Sequence, residues 1–208
     1  MSQTKFIVRK VAVLGAGVMG AQIAAHLVNA KVPTVLFDLP AKEGNKNAIA
    51  LKAIEGLKKL KPSPLSNKDA VNYIQPANYE DHLHLLKDCD LVIEAIAERM
   101  DWKADLYAKV GPHLGESTIF ATNTSGLSIN QLADSLPAAL KPRFCGVHFF
   151  NPPRYMHLVE IIPCVGSDAG ILDNLERFLV STLGKGVIRA KDTPNFVANR
   201  IGVFSMLA

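Results

Sequence analysis

Residues 11–20 read VAVLGAGVMG, an apolar run that gives way to three glycines, Gly15, Gly17 and Gly20, at G-x-G-x-x-G spacing. A short Val/Leu run ending in glycines is the pattern of a strand buried on both faces. The residues that follow, VMGAQIAAHLVNA (18–30), place Met19, Ile23 and Leu27 at helical spacing. A glycine turn between a strand and a helix has a physical use. The first glycine permits the tight turn, the second lets backbone approach a pyrophosphate, and the third lets helix pack closely on strand. The N–H groups of the helix's first turn then face the phosphates. The next apolar run, PTVLFD (33–38), ends in Asp38. A carboxylate there accepts hydrogen bonds from an adenosine ribose and repels a 2′-phosphate. No arginine follows Asp38 closely, so the expected cofactor is NAD rather than NADP.

Outward from this turn the chain alternates strand and helix signals. A helix is expected over 42–61, ended by the turn-rich KPSPLS (61–66), and YIQPAN (73–78) reads as an edge strand because of its proline. Then come DLVIEAI (90–96) as a strand, a helix over 99–113, STIFATNTS (117–125) as strand and loop, and a short helix near 128–136 with Ser128 as its N-cap. Strands near 144–149 and 158–162, a helix over 168–183 and a last strand within GVIRAKDTPNF (186–196) complete the series. Such alternation predicts an α/β, Rossmann-type, doubly wound and mostly parallel sheet. Glu94, Glu98 and the segment TNTSG (122–126) fall at strand C-terminal ends, where ligands bind in open α/β sheets.

Composition narrows the function classes. The 208 residues are 49% hydrophobic and 20% charged, enough apolar content for a full core and too much for a disordered chain. A net charge of +4 with dispersed basic residues gives no nucleic-acid footprint; the densest cluster, Lys58, Lys59 and Lys61, reads as a solvated helix face. The three cysteines, Cys89, Cys145 and Cys164, lack CxxC spacing and sit in or beside apolar segments, as buried free thiols of a reducing compartment do. No metal site is expected. The N-terminal MSQTKFIVRK lacks the apolar core of a secretory signal, and no run reaches the ~20 apolar residues of a membrane span, so a soluble, cytoplasmic protein is expected. The last residues, NFVANRIGVFSMLA (195–208), have the composition of a helix just beginning. The expected division is a nucleotide-binding unit over 1–190 and, over 191–208, a linker with the first turns of a truncated helical domain.

One acid is out of place. In GVHFFNPPRYMHLVEIIP (146–163), Glu160 stands inside an apolar run, and an unpaired buried carboxylate is costly. His148 lies the same distance before Arg154 as Glu160 lies after it, and Asn151-Pro152-Pro153 supplies a turn. A reversal there brings the two side by side. The carboxylate would accept one imidazole N–H, fix the tautomer and leave the other nitrogen free to take a proton. That is a general base with its orienting acid, as oxidation of an alcohol by NAD needs. His157 points to the other side of an ideal strand, and His26, His82, His84 and His113 fall on helices or helix ends.

The glycine loop, VIEAIAER (92–99), NTS (123–125), GVHFFNPP (146–153), LVEIIP (158–163) and KDTPNFVANR (191–200) stand in the order found in 3-hydroxyacyl-CoA dehydrogenases, which the chain resembles over nearly its whole length. It is also similar to the N-terminal part of the bacterial form fused to an enoyl-CoA hydratase-like region. The resemblance implies NAD-dependent oxidation of an L-3-hydroxyacyl-CoA, with His148 as base, Glu160 as its partner, and Ser125 and Asn199 as further catalytic and substrate-binding residues. Asn151 would be a polar contact in the same cleft. Gly15, Gly17, Val18, Met19, Gly20, Asp38, Glu98, Lys103 and Asn123 would line the NAD site. An acyl-CoA would be the partner, with a dimer or larger complex formed through a domain beyond Ala208. Two departures stand out: Gly126 replaces a serine common in relatives, and the lysines that meet the CoA phosphates in the family have no clear counterpart, with Lys58 and Lys59 as candidates. Two other readings stay open, an NAD(H)-holding module without turnover in this chain and a dehydrogenase of free hydroxy acids on the same scaffold.

Overall fold

A computed structural model describes residues 7–207. Most of the N-terminal decapeptide, read above for a leader, and the final Ala208 lie outside the described residues. The chain runs β1 (Val11–Leu14), α1 (Val18–Asn29), β2 (Thr34–Asp38), α2 (Ala48–Leu57), β3 (Ile74–Asn78), β4 (Leu91–Glu94), α3 (Met100–Val110) and β5 (Ile119–Thr122). It continues through α4 (Ile129–Asp134), β6 (Phe144–Phe149), β7 (Leu158–Pro163), α5 (Ala169–Ser181), β8 (Gly186–Arg189) and α6 (Ala198–Leu207). The strands form one eight-stranded sheet in the order β3-β2-β1-β4-β5-β6-β7-β8. Every neighbouring pair is parallel except β6 and β7. The exception follows from the linker: residues 150–157 are too few for a crossover helix, so the chain turns back on itself.

Apolar residues cover both faces. Val11, Val13, Ile23 and Leu27 pack on one side with Leu175 and Leu179, while Leu14, Phe37, Tyr107, Phe120 and Phe144 pack on the other. One expectation is corrected. The helix expected over 42–61 is only Ala48–Leu57, because Gly44 takes φ +72° and residues 40–47 form a Gly/Asn-rich turn. The last strand falls within 186–196 as read, at Gly186–Arg189; beyond Ala190 the chain leaves the sheet and Asp192 reaches across to the N-terminus of α4. The edge position of β3 holds: Pro76 cannot donate, and β3 pairs on one side only.

The turn between β6 and β7 is braced from two directions. Lys185, which is buried, donates from its ammonium to the carbonyls of Pro153 and Met156, the latter at 2.9 Å. Arg154 and Tyr155 in turn bond the carbonyl of Ser63, at 2.9 and 2.8 Å, so KPSPLS rests on this turn. Beneath it, the His26 imidazole bonds the carbonyl of Leu183 at 3.2 Å while its Nδ1 is buried without a partner. Burial, with Lys185 and Arg154 nearby, pushes its pKa down to about 4. The native state therefore holds His26 neutral at pH values where the unfolded chain is already charged. That contribution to stability is full above about pH 6.5 and lost as pH falls toward 4. His26→Gln, which keeps a donor and does not titrate, should show a smaller drop in thermal midpoint between pH 6.5 and 4 than the parent protein. An equal drop would assign the acid sensitivity to other groups.

Candidate active site

The glycine loop meets its physical requirements one by one. Gly15 has φ +107°, and a Cβ there would lie 2.8 Å from the Ala95 carbonyl oxygen. A Cβ on Gly20 would lie 1.8 Å from the Gly15 carbonyl oxygen, so helix and strand touch there. Gly17 has open space within 4 Å. It is also the N-cap of α1, which has no side-chain cap and no acid in its first turn. The helix thus presents uncapped N–H groups at Val18, Met19 and Gly20 beside an open face, as a pyrophosphate site requires. Asp38 ends β2, with its carboxylate bonded to the N–H groups of Ala16 (2.6 Å) and Leu39 (2.7 Å). A cavity of about 510 Å³ opens beside the loop, lined by Gly15, Gly17, Asp38, Tyr79, Ile96 and Trp102 among others. It lies where the sheet order turns from β1–β2 to β1–β4, the crevice expected for a dinucleotide. These residues fit NAD.

Glu98 and Ser125, read separately as a cofactor and a substrate contact, meet. Glu98 accepts the Ser125 N–H, the Ser125 hydroxyl at 2.8 Å and the Thr124 hydroxyl at 2.7 Å. Partial burial pushes this carboxyl up, but the Ser125 and Thr124 donors outweigh burial and hold it below its ordinary value. Asn199, in α6, reaches the Ser125 carbonyl at 3.4 Å. Asn123 uses its side chain to accept the Phe149 N–H at 2.9 Å, locking the end of β5 to the end of β6. Asn151 accepts from Gln22 of α1 at 3.3 Å, tying the proline turn to the helix behind the glycine loop.

Lys103 is placed differently from the expectation. Its side chain is 1% exposed, and its ammonium bonds Glu94 at 2.6 Å while standing 3.9 Å from Glu98. Glu94, read above as a contact at the strand end, is fully buried. Its carboxylate accepts from the Ile96 N–H (2.7 Å), Lys103 (2.6 Å), the Tyr107 hydroxyl (2.8 Å) and the Thr122 hydroxyl (2.7 Å). This cluster supports the 95–97 turn, which lines the cavity, from behind. The sequence carried a sign of it, since Glu94 is an acid in an apolar strand just as Glu160 is.

His148 and Glu160 face each other in register on antiparallel β6 and β7. The Nδ1 atom of His148 lies 2.7 Å from Glu160 Oε2, with side-chain exposures of 5% and 0%. The ring sits between Phe150 (4.3 Å between centroids) and the edge of Phe196 (5.9 Å), and Nε2 is left for another partner. Because β6 is parallel to β5, β4 and β1, its C-terminal end lies on the same sheet edge as the glycine loop. His157 is exposed and lies against Gly186, where a Cβ would come within 2.7 Å of its ring. Sequence reasoning missed the other oxygen: Glu160 Oε1 accepts the N–H groups of Val197 (3.0 Å) and Ala198 (2.9 Å) at the start of α6.

A Rossmann sheet with an open glycine loop, a carboxylate at the end of its second strand and a histidine–glutamate pair on the same sheet edge is the arrangement expected of an NAD-binding dehydrogenase domain. Residues 10–193 match the family described as 3-hydroxyacyl-CoA dehydrogenase, NAD binding domain. The chain belongs to that family. It is 46% identical over 198 residues to a Rickettsia felis protein described as a fatty acid oxidation complex trifunctional enzyme, covering 95% of this chain and 28% of that protein. It is 34% identical over 208 residues to pig mitochondrial hydroxyacyl-coenzyme A dehydrogenase, covering 96% of this chain and 64% of that one. Among solved structures, (S)-3-hydroxybutyryl-CoA dehydrogenase from Ralstonia eutropha superposes with a TM-score of 0.78 at 31% identity, covering 97% of this chain and 74% of that one. The chain spans less than two thirds of the length of these two curated relatives.

Proposed function

We propose that the protein carrying this chain oxidises an L-3-hydroxyacyl-CoA to the 3-ketoacyl-CoA, as in fatty-acid β-oxidation. The observation that carries the reading is the 2.7 Å His148–Glu160 contact on the sheet edge that also bears the glycine loop. When bound, NAD supplies the acceptor for the hydride leaving the carbinol carbon. His148 Nε2 takes the hydroxyl proton as the C–H bond breaks and the C=O bond forms. Glu160 holds Nδ1–H and offsets the charge that the ring acquires. Gly15, Gly17, Val18, Met19, Gly20, Asp38, Asn123 and Glu98 hold the dinucleotide, and Lys103 acts from beneath, through Glu94 and Glu98. Ser125, Asn151 and Asn199 position the acyl-CoA.

Residues 1–190 form the nucleotide-binding unit and 191–208 lead into a further helical unit. In support, none of the described side chains of α6 is buried within this unit, and Ile201, Phe204 and Met206 are exposed. Among the described residues no helix is long and apolar enough to cross a membrane, and Cys89, Cys145 and Cys164 are free and buried, which suits a cytoplasmic setting. The test of the substrate class is NADH formation by the intact protein from L-3-hydroxybutyryl-CoA and from free 3-hydroxybutyrate. The CoA ester should be turned over and the free acid essentially not. The reverse preference would move the reading to a free hydroxy-acid dehydrogenase.

A further inference from the structure

Glu160 is a shared carboxylate. One oxygen holds the His148 imidazole, and the other accepts two backbone N–H groups where α6 begins. Those N–H groups lie at the positive end of the helix dipole, so they withdraw charge from the carboxylate that faces the ring. The chain arrives there under constraint. Asn195 and Phe196 both have left-handed backbone, φ 63° and 48°, a conformation that asparagine tolerates and phenylalanine adopts at a cost. Phe196 is nevertheless buried, its ring edge-on to His148. Just upstream, Asp192 accepts from the Ser128 hydroxyl (2.8 Å), the Ile129 N–H (2.9 Å) and the Asn130 N–H (2.9 Å), which fixes the linker to α4. Strained backbone retained beside a functional pair points to a role for the position it enforces.

We propose that the N-terminus of α6 is a positioning element of the base: the Val197 and Ala198 N–H groups set how strongly Glu160 supports a proton on His148. The seat of α6, and of whatever follows it, is then read out at the proton-accepting nitrogen. This rests on the reading of His148 as the base. The other ionisable groups around the pair are occupied elsewhere or turned outward. Arg189 of β8 is tied to Asp173 and Glu176 of α5, and Asp192 is tied to α4. Glu98 is tied to Ser125 and Thr124, and Lys191 and Arg200 are exposed. His148 is thus the titratable group that Glu160 faces among the described residues.

Ala198 is the first residue of α6, where the helix tolerates proline; the ring replaces the N–H with a Cδ and so turns Glu160 Oε1 away from this donor. With one donor gone the carboxylate keeps more of its charge, and protonated His148 is favoured. In the intact protein, Ala198→Pro should therefore move the acid limb of the kcat/KM profile up by about one pH unit. The imidazole of His148, followed by NMR without substrate, should titrate higher by the same amount. Ala198→Gly keeps the N–H and should keep the parent midpoint in both measurements, so a merely loosened helix is separable from a lost donor. Parent midpoints for Ala198→Pro, or equal shifts in the two variants, would overturn the proposal. Should His148→Gln keep parent turnover, the base reading itself fails. A higher NMR midpoint in Ala198→Pro would then still support the α6 coupling, and an unchanged one would end it.

Discussion

In the intact protein, His148→Gln is expected to lower kcat by about a hundred- to ten-thousand-fold, the range that a positioned general base contributes. Glutamine is close to histidine in size and can still donate to Glu160, so the β6–β7 register that pairs positions 148 and 160 should survive. What it cannot do is take a proton near neutral pH. The loss should appear in kcat and kcat/KM together, because the proton is needed only as the C–H bond breaks. A variant with near-parent turnover would remove His148 from the base role and leave the pair as a structural contact.

The second large effect concerns stability. Glu94→Ala is expected to cost about 3–5 kcal/mol, the penalty for leaving a buried charge without its partner. Lys103 would be left 1% exposed and 3.9 Å from its next carboxylate, while the Tyr107 and Thr122 hydroxyls and the Ile96 N–H would lose their acceptor. For a domain of this size, that is a fall in thermal midpoint of roughly 10 °C. Lys103→Met should be the milder change, since Glu94 keeps the other three donors and the thioether chain fills the space. Thermal unfolding of both variants checks this asymmetry. Equal losses would mean that the cluster behaves as a simple ion pair rather than as a carboxylate with four donors.

The parts of the fold legible in the sequence are those with a strong local cause. Gly15, Gly17 and Gly20 each have a steric reason to be glycine, and an apolar run before them with a carboxylate after the next strand leaves few alternatives. The His148–Glu160 contact was legible because a proline turn halfway between two residues fixes an antiparallel register, and an acid in an apolar strand demands a partner. The same logic applied to Glu94 would have predicted its burial; strand-end position suggested a ligand contact instead. The bonds from Glu160 to Val197 and Ala198 were not legible, because backbone donors leave no mark in side-chain spacing. The anchoring of the linker after Ala190 was hidden for a similar reason. It depends on Asp192 meeting a helix N-terminus more than sixty residues away in sequence.

Nucleotide holding and proton removal are expected to be separate tasks of one sheet edge. Trp102, the single tryptophan of these 208 residues, lines the cavity beside the glycine loop, where NADH bound in that cavity would be expected to change its fluorescence. Titration of His148→Gln with NADH, read at Trp102, tests the separation directly. The variant that has lost turnover should bind NADH within about twofold of the parent. A fall in NADH affinity that parallels the fall in kcat would overturn this separation, because His148 would then be holding the nucleotide rather than taking the proton.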